Sequence, residues 1–486
     1  MLNFAGSSLG STFVTKALDP KNVRVVTVQG RERISELYEL RVRIVHIPGA
    51  LTDDDISKIL LAPCTLTIGD GDPIHGIARE VEVHEAVEDK PSRYEILLVP
   101  TTWLLTLSKL SRVFQAKSVK DMAQEILARY SLSSGDHFDL RIEKSNPREF
   151  AMQYHESDWD YLQRWFEHEG YFYWFEHSAS GEKLVVADSN AAATPIKGKG
   201  SVSYRNPGMG SPMEETIVDW RSVQRRIPAR VLLTDYNDLK PLLPLIGKAD
   251  VDKKRGFGTY FEYGDHFEVP ADGDALAQLR AERFLTEQFT VFGVTDCVRF
   301  HVGHTFTLTD HFDSAQNQKY LITEIEHILG PVPGKEDADA FDYELKFRAV
   351  PFKVAFRPAR QTPWPSVAGV VHAHIDSDSS GKFATLDAKS RYKVRFPFDG
   401  AGKKGDASST WVRMAQSYAG TGYGSHYPLH KGTEVLVAFY DGDPDRPIIV
   451  GAVPNAVTPA ASTAKNASQS TIRSASGIHI AMDDEL

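Results

Sequence analysis

Alternating apolar and polar positions appear within residues 11–110, which read as strands. Residues 24–28 and 39–45 show the pattern, which turns one face of a strand to a core and the other to water. Residues 66–68 and 77–83 flank Gly69-Asp70-Gly71-Asp72-Pro73, a hairpin signal, and residues 94–99 add a strand. These strands predict a β-barrel or curved sheet. The period lengthens over residues 118–130, a predicted helix. Ser118 caps it, Asp121 takes the third helical position, and Val119, Met122 and Ile126 share a face. A second helix is predicted from the cap residue Ser157, with Asp160 three places on. Trp159, Leu162 and Phe166 recur there at helical spacing, with Trp165 beside them. Gly170 closes this helix, and His168 suits its negative pole. The aromatic run Tyr171-Phe172-Tyr173-Trp174-Phe175 favours a strand.

Residues 178–212 are rich in Gly, Ala, Ser and Pro and read as a loop or linker. Strands return at residues 231–236, 298–300, 305–309, 320–327 and 343–349. One helix over residues 272–289 sets Leu276, Leu279 and Phe284 on one side. Residues 359–366 form a proline-stiffened boundary. Five short segments follow, at 367–375, 392–396, 410–414, 434–439 and 447–453. They suit a small five-stranded barrel of oligosaccharide-binding (OB) type. Residues 455–486 are Ala-, Ser- and Thr-rich, with extended rungs at 471–474 and 477–481. The fold class is mainly β with a few helices, an α+β chain.

A length of 486 residues exceeds one ordinary domain, so about two to four are expected. A net charge of −10 without any Lys/Arg-rich run argues against nucleic acid and anionic membrane as partners. Cys64 and Cys297 lie far apart and lack metal-ligand spacing. Free buried thiols are expected, with one disulfide as the alternative. Residues 1–10 lack the basic start and apolar run of a secretory signal peptide. No run of about 18 apolar residues offers a spanning helix.

Two runs in residues 148–175 carry a resemblance. Gln153-Tyr154-His155-Glu156-Ser157-Asp158-Trp159 and Glu167-His168-Glu169-Gly170-Tyr171 resemble the signature of the VgrG family, the spike proteins of bacterial type VI secretion. That family is similar to a phage tail-hub protein fused to the OB-like domain of a tail spike. Later runs resemble the family's spike domain, in the family's order. They are Trp411-Val412-Arg413, Gly422-Tyr423-Gly424, Gly432-Thr433-Glu434-Val435-Leu436-Val437-Ala438-Phe439 and Asp441-Gly442-Asp443-Pro444-Asp445-Arg446-Pro447.

The resemblance implies tail-hub-like β-barrels, then an OB-type barrel, then the start of a trimeric β-helix or prism needle. Residues 1–205 would hold a first barrel with a helical insert, 206–360 a second barrel, 366–455 an OB-type collar, and 456–486 a linker and needle start, short or truncated. Three such subunits present six barrels in a ring that caps a hexameric tube. The implied partners are two further copies, an Hcp-like hexameric tube protein, a PAAR-like tip-capping protein, baseplate proteins, and effectors with their adaptors. No nucleic acid is implied, and the target membrane is punctured mechanically. The implied localisation is the bacterial cytoplasm during assembly, then secretion through the type VI machine to the extracellular space or a target cell. A needle rung buries apolar side chains only against two partner chains, so the tail is expected to be disordered in a monomer.

Candidate chemistry changes this picture little. Glu156, Asp158, Asp160, Glu167, His155 and His168 invite an acid/base or metal reading. No His-Glu-x-x-His pattern occurs, and His155 and His168 are too far apart to share one helical turn. They are expected to form the wet face of an amphipathic helix. Gly6-Ser7-Ser8-Leu9-Gly10 matches a nucleophile elbow but has no strand before it. His301, His304 and His311 are expected to be ordinary sheet residues, with His301 and His304 facing opposite sides. His372 and His374 share one strand face, where a metal is the long alternative to exposed strand histidines. Gly420-Thr421-Gly422-Tyr423-Gly424 lacks the Lys-Ser/Thr of a phosphate loop and reads as a loop. The acidic turn of Asp441, Asp443 and Asp445 suits nucleic acid badly. No glycosidase carboxylate pair is assignable, and the muramidase domain of the phage relative has no room between residues 453 and 477. No catalytic, cofactor-binding or metal-binding residue is therefore assigned, no cofactor is expected, and the expected protein is not an enzyme. The rival readings are a hub and spike of a phage or prophage tail, an effector enzyme whose C-terminal domain is missing from this chain, and a carbohydrate-binding module using Trp411 or Tyr423.

Overall fold

Period-two alternation builds the first sheet. In a computed structural model describing residues 10–86, 88, 90–205, 215–331 and 341–485, six antiparallel strands come first. They are β1 (Thr12–Thr15), β2 (Val23–Arg33), β3 (Glu39–His46), β4 (Pro63–Thr67), β5 (Ile74–Glu85) and β6 (Ser92–Val99). Their order is β1-β4-β5-β6-β3-β2. Leu40, Val42 and Ile44 of β3 pair with Leu98, Ile96 and Tyr94 of β6, all of them buried. Bulges at Val25/Thr27 and Ala78/Glu80 bend the strands into a half-barrel. The short helix α1 (Asp53–Ile59) starts on a capping box of Thr52 and Asp55.

The chain divides into two units, and its middle passes between them. Met1–Ser108, Val119–Ser145 and Trp159–Thr362 form one; Lys109–Ser118, Asn146–Asp158 and Pro363–Leu486 form the other. Strand β7 (Lys109–Lys117) lies in the second unit, helix α2 (Val119–Arg129) and strand β8 (Phe138–Arg141) in the first, and β9 (Arg148–Ser157) in the second. Helix α3 (Asp158–Glu169) holds the end of the first signature run and the start of the second, and Gly170 ends it at φ 70°. Strands β10 (Phe172–Ser178) and β11 (Gly181–Ala187) form a sheet ordered β10-β11-β8. Residues 178–212 are thus not a plain linker. Leu184, Val185, Val186 and Ala187 bury a strand there, hidden between Gly- and Ser-rich flanks.

The second barrel uses β12 (Ser201–Tyr204), β13 (Thr216–Gln224), β17 (Phe289–Thr295), β18 (Thr305–Thr309), β19 (Lys319–Pro331) and β20 (Phe341–Pro351). Inserted between β13 and β17 are β14 (Arg230–Asp235), β15 (Leu245–Asp250), β16 (Thr259–Tyr263) and helix α4 (Pro270–Gln288). The order β19-β18-β12-β13-β17-β20 closes through pairing of β19 with β20, giving a six-stranded barrel. Pairing of β2 with β19 joins it to the half-barrel in one 12-stranded sheet. Phe300, Phe306, Tyr320 and Phe347 pack its aromatic core. Gly293 admits that core, because a Cβ there would lie 2.5 Å from Phe347 Cζ. Residues 298–300 form a turn rather than the predicted strand. Phe300 is buried there as one anchoring aromatic, not as part of an alternating run.

The second unit contains β21 (Val370–Asp376), β22 (Lys393–Arg395), β23 (Arg413–Met414), the two-residue strands β24 (Ala419–Gly420) and β25 (Tyr423–Gly424), β26 (Glu434–Phe439) and β27 (Pro447–Ala452). The sheet β22-β21-β26-β27-β23 closes where the backbones of Tyr392 and Val412 exchange hydrogen bonds of 2.9 and 2.7 Å. This is the five-stranded OB-type barrel. Val113, Phe150 and Met152 of the paired strands β7 and β9 share its core with Ile375, Val437 and Ile449. The chain ends in a hairpin of β28 (Gln469–Arg473) and β29 (His479–Asp483), joined by five residue pairs. The expectation of disorder is corrected: the backbone ladder orders these residues, while Ile472, Ile478, Ile480 and Met482 stay exposed.

Candidate functional site

Helix α3 was expected to show water its acids and histidine. It does the opposite. Asp158, Arg164, Glu167 and His168 are all buried, as is Glu156 just before the helix, and of the expected wet face Asp160 and His155 are exposed. The physical reason is that each buried group has a partner. The Glu167 carboxylate accepts from the backbone N–H groups of Gln361 and Thr362 at 2.8 and 2.9 Å, and from the Thr362 hydroxyl at 2.8 Å. Gln163 donates to it at 3.2 Å. His168 Nε2 lies 3.1 Å from the Asp265 carbonyl, and Arg280 donates to the His168 carbonyl at 2.7 Å.

Asp265 is the hub of this network. It pairs with Arg280 at 3.0 Å and Arg360 at 2.8 Å, and Arg360 also meets Glu262. Burial disfavours the Asp265 charge, but Arg280, His168 and Arg360 outweigh it and hold the carboxyl far below the usual carboxylate range. Arg357 completes the lashing, reaching Glu282 at 2.8 Å and the Gly170 carbonyl at 3.1 Å. Residues 357–362 are therefore fastened to α3 and α4 by charge-assisted bonds. This segment follows the last strand of the hub unit and leads to Pro363, the first residue of the last stretch of the second unit.

A second buried cluster fastens β2 to β19, where half-barrel and closed barrel join. His327 Nε2 is 2.7 Å from Glu32 Oε1, and its Nδ1 is 2.8 Å from the Tyr343 hydroxyl. Burial pushes Glu32 up, but the bond and charge of His327 prevail and bring the carboxyl down to about 2. Sequence reading missed both clusters. A signal existed: Glu32 and His327 occupy inward positions of alternating strands, in step with Val28 and with Ile325 and Leu329.

The other candidates are scattered. Gly6, Ser7, Ser8 and Leu9 lie outside the described residues. His301 and His304 sit on either side of a turn, with ring centroids 5.6 Å apart, not on opposite faces of a strand; Gly303 turns the chain there at φ 79°, and His301 pairs with Asp72 at 3.2 Å. His311 is buried, with Nδ1 3.1 Å from the Asp313 amide. His372 is exposed and 2.6 Å from Glu434, and His374 lies on the same strand face. Gly420-Thr421-Gly422-Tyr423-Gly424 is the tight β24–β25 hairpin, not an irregular loop. Asp441 takes φ 53° in the acidic turn. Trp411 lies under the Lys393 ammonium, 4.9 Å away. Cys64 and Cys297 are free and buried, and burial pushes their thiols up to about 11 and about 12. Glu82, His84 and Glu95 bring ligand atoms within 4.8 Å of one another. However, Arg41 and Arg43 already bind both Glu95 oxygens, at 3.0 and 2.7 Å, so the cluster is an ion-pair group. Among the described residues no helix is long and apolar enough to cross a membrane.

The described residues thus build a half-barrel joined to a closed barrel in one unit, and a small OB barrel in the other. Residues 31–331 match the phage tail baseplate hub (GPD) family, and residues 384–453 match the type VI secretion system/phage-baseplate injector OB domain. The chain belongs to the phage tail baseplate hub family. It is 29% identical to the Pseudomonas aeruginosa type VI secretion system spike protein VgrG1c over 449 residues, 91% of this chain and 61% of that protein. It is 29% identical to VgrG1a of the same organism over 448 residues, 90% of this chain and 68% of that protein. The chain thus spans about three fifths to two thirds of the length of these curated relatives. A solved E. coli type VI secretion system component, structurally similar to the T4 bacteriophage tail proteins gp27 and gp5, shares the fold. Its TM-score is 0.66 at 22% identity, over 91% of this chain and 99% of that one.

Proposed function

We propose that the chain is the homotrimeric spike of a bacterial type VI secretion system. Its hub, residues 1–205 and 206–360, caps the tube; the OB barrel, 366–455, forms a collar; and residues 456–486 begin the needle. The work is mechanical and non-enzymatic: the spike punctures the target membrane and carries effectors. The tube protein, a tip-capping protein, baseplate proteins and effector adaptors are its partners. It is assembled in the cytoplasm and leaves through the machine. The observation that carries this reading is the order of parts within one chain, hub barrels before the injector-type OB barrel, shared with the VgrG spike proteins. The buried lashings at Asp265 and Glu32 suit a part that must transmit force without yielding. A phage-tail hub remains the second reading on the family match alone, but the sequence relatives favour secretion.

The test is deletion of the gene in its native bacterium. Release of tube protein into the medium is expected to stop, and expression of the intact gene to restore it. Undiminished release would refute the reading. In solution the full chain is expected to have a mass near three subunits by light scattering.

A further inference from the structure

Strand β10 is fastened to the half-barrel by two hydrogen bonds that both run through His75 of β5. The His75 amide donates to His177 Nδ1 on β10 at 3.2 Å, and His75 Nε2 donates to the Ser178 carbonyl at 2.7 Å. These partners fix where the protons sit. A backbone amide only donates, so His177 Nδ1 is bare and its single proton is on Nε2. A carbonyl only accepts, so His75 carries its own proton on Nε2. His177 Nε2 is buried and has no hydrogen-bond partner among the described residues. The two rings therefore answer a second proton differently. On His75 it enters at Nδ1, 3.1 Å from the Thr65 hydroxyl, which can accept it. On His177 it enters at Nδ1 and points at the His75 N–H. Donor then faces donor, and neither N–H of the imidazolium has an acceptor.

We propose that His177 is an acid-released clasp: β10 stays fastened to β5 only while this imidazole is uncharged, and acidification frees that strand end from the half-barrel. The acids around the ring are already engaged. Glu182, opposite His177 on β11, meets the Tyr38 hydroxyl and the Thr101 amide. Glu32 of β2 is held by His327, and Asp72, just before β5, by His301 and Lys197. The Tyr38 and His75 rings close the site, with centroids 5.6 and 6.1 Å from that of His177. Burial, helped by charge on His301 and His75, outweighs the pull of Glu32 and Asp72 and brings the His177 imidazole down to about 4. A freed imidazole has the ordinary value of about 6.5, so between these values the free state binds more protons than the fastened one. The clasp is at full strength above about pH 6.5 and is lost as pH falls toward 4. The ratio of fastened to free drops about twentyfold from pH 7 to pH 5, and about 300-fold in all. Its neighbours act elsewhere. Glu32, brought down to about 2, loses its contribution only below about pH 4. Burial raises Glu182, so its contribution grows as pH falls.

Backbone hydrogen exchange on the full-length protein tests this, read by mass spectrometry in peptides covering residues 74–78 and 175–180 and corrected for the intrinsic pH dependence of exchange. Protection there is expected to fall about twentyfold between pH 7 and pH 5, while β19 and β20 keep theirs. H177N sets an amide oxygen in place of Nδ1, which keeps the acceptor and removes the titrating group. Its protection is expected to match wild type at pH 7 and to stay level down to pH 5. Wild-type protection that does not change over this range overturns the clasp, and so does an H177N chain that loses protection as wild type does. Should H177N fail to fold, exchange of the imidazole C2 hydrogens in the wild-type chain decides. A His177 midpoint well below 6.5 supports the clasp, and one at 6.5 or above overturns it.

Discussion

Replacing Asp265 with alanine should break the fastening under α3 and α4. Arg280 and Asp265 are both almost fully buried, their side chains 4% and 2% exposed, with nitrogen and oxygen 3.0 Å apart. Removing the carboxylate leaves Arg280 only the His168 carbonyl among its named partners. Arg360 loses less, because it keeps Glu262 and is partly wet. Breaking a buried pair by deleting one partner costs about 3–5 kcal/mol, against about 1 kcal/mol or less for an exposed pair. D265A is therefore expected to lower hub stability by about 3–4 kcal/mol, and R360A by a fraction of that. A chain of two units need not unfold in one step, so a local probe is required. Trp165 is suitable, since its ring lies 5.3 Å from that of His168, which itself contacts Asp265. Urea titration followed by Trp165 emission, with the other six tryptophans replaced by phenylalanine, gives the shift. The pH dependence supplies a second check. Asp265 has a folded pKa below its unfolded one, so its contribution is full above the unfolded value of about 3.9 and drains away as pH falls below it. D265A should flatten stability against pH in that acid range alone. A loss under about 1 kcal/mol, or an unchanged acid slope, would refute a structural role for the network.

Other consequences are as direct. H327F strands the Glu32 carboxylate in the β2–β19 joint; it is expected to cost about 3 kcal/mol at neutral pH and to abolish the part of the acid dependence between about pH 4 and pH 2, read by urea titration at several pH values. Gly303→Ala forces a Cβ to within 2.3 Å of Trp174 Cγ at φ 79°, so a loss of about 2–4 kcal/mol is expected by the same titration. Cys64 and Cys297 should react with a thiol reagent at neutral pH far more slowly than free cysteine, since burial keeps both protonated and covered. Fast reaction of either in the native chain would show that the segment around it opens readily.

Where side chains act through periodicity, the sequence was legible. Alternation at residues 39–45 and 94–99 becomes β3 and β6, and the helical faces at Met122 and Leu276 are the faces that pack. The two family signatures fall on α3 with its flanks and on the OB barrel. What stayed hidden depends on contacts distant in sequence. Glu167 looks like a solvated helix residue until residues 361–362 arrive, and nothing within α3 announces them. Likewise Glu262 and Phe261 alternate like any strand, and only the position of α4 tells which of them faces in. Local pattern can show that such a group faces inward, as at Glu32 and His327, but not which far segment satisfies it.

The passage of the chain between its units has a mechanical consequence that the proline-rich boundary at residues 359–366 conceals. Read as sequence, that boundary is the only tie between hub and OB barrel. In the fold the chain changes unit five times, after residues 108, 118, 145, 158 and 362. Strands β7 and β9 thus belong covalently to the hub sequence and physically to the OB barrel. Val113, Phe150 and Met152 fill its core; the Gly400 amide donates to the Ser111 carbonyl at 2.9 Å, and the Val113 amide donates to the Asp399 carboxylate at 3.3 Å. Three apolar side chains buried there contribute about 5–8 kcal/mol. Cutting the boundary should therefore not free the barrel. With a protease site placed between Pro363 and Ser366, cleavage is expected to be complete on a denaturing gel. The 363–486 fragment should still travel with the remainder on size exclusion at micromolar concentration, and M152A, which removes part of the plug, should let it leave. Separation of the unmutated fragment under native conditions would mean that the single covalent boundary carries the load, and that the paired strands only rest against the barrel.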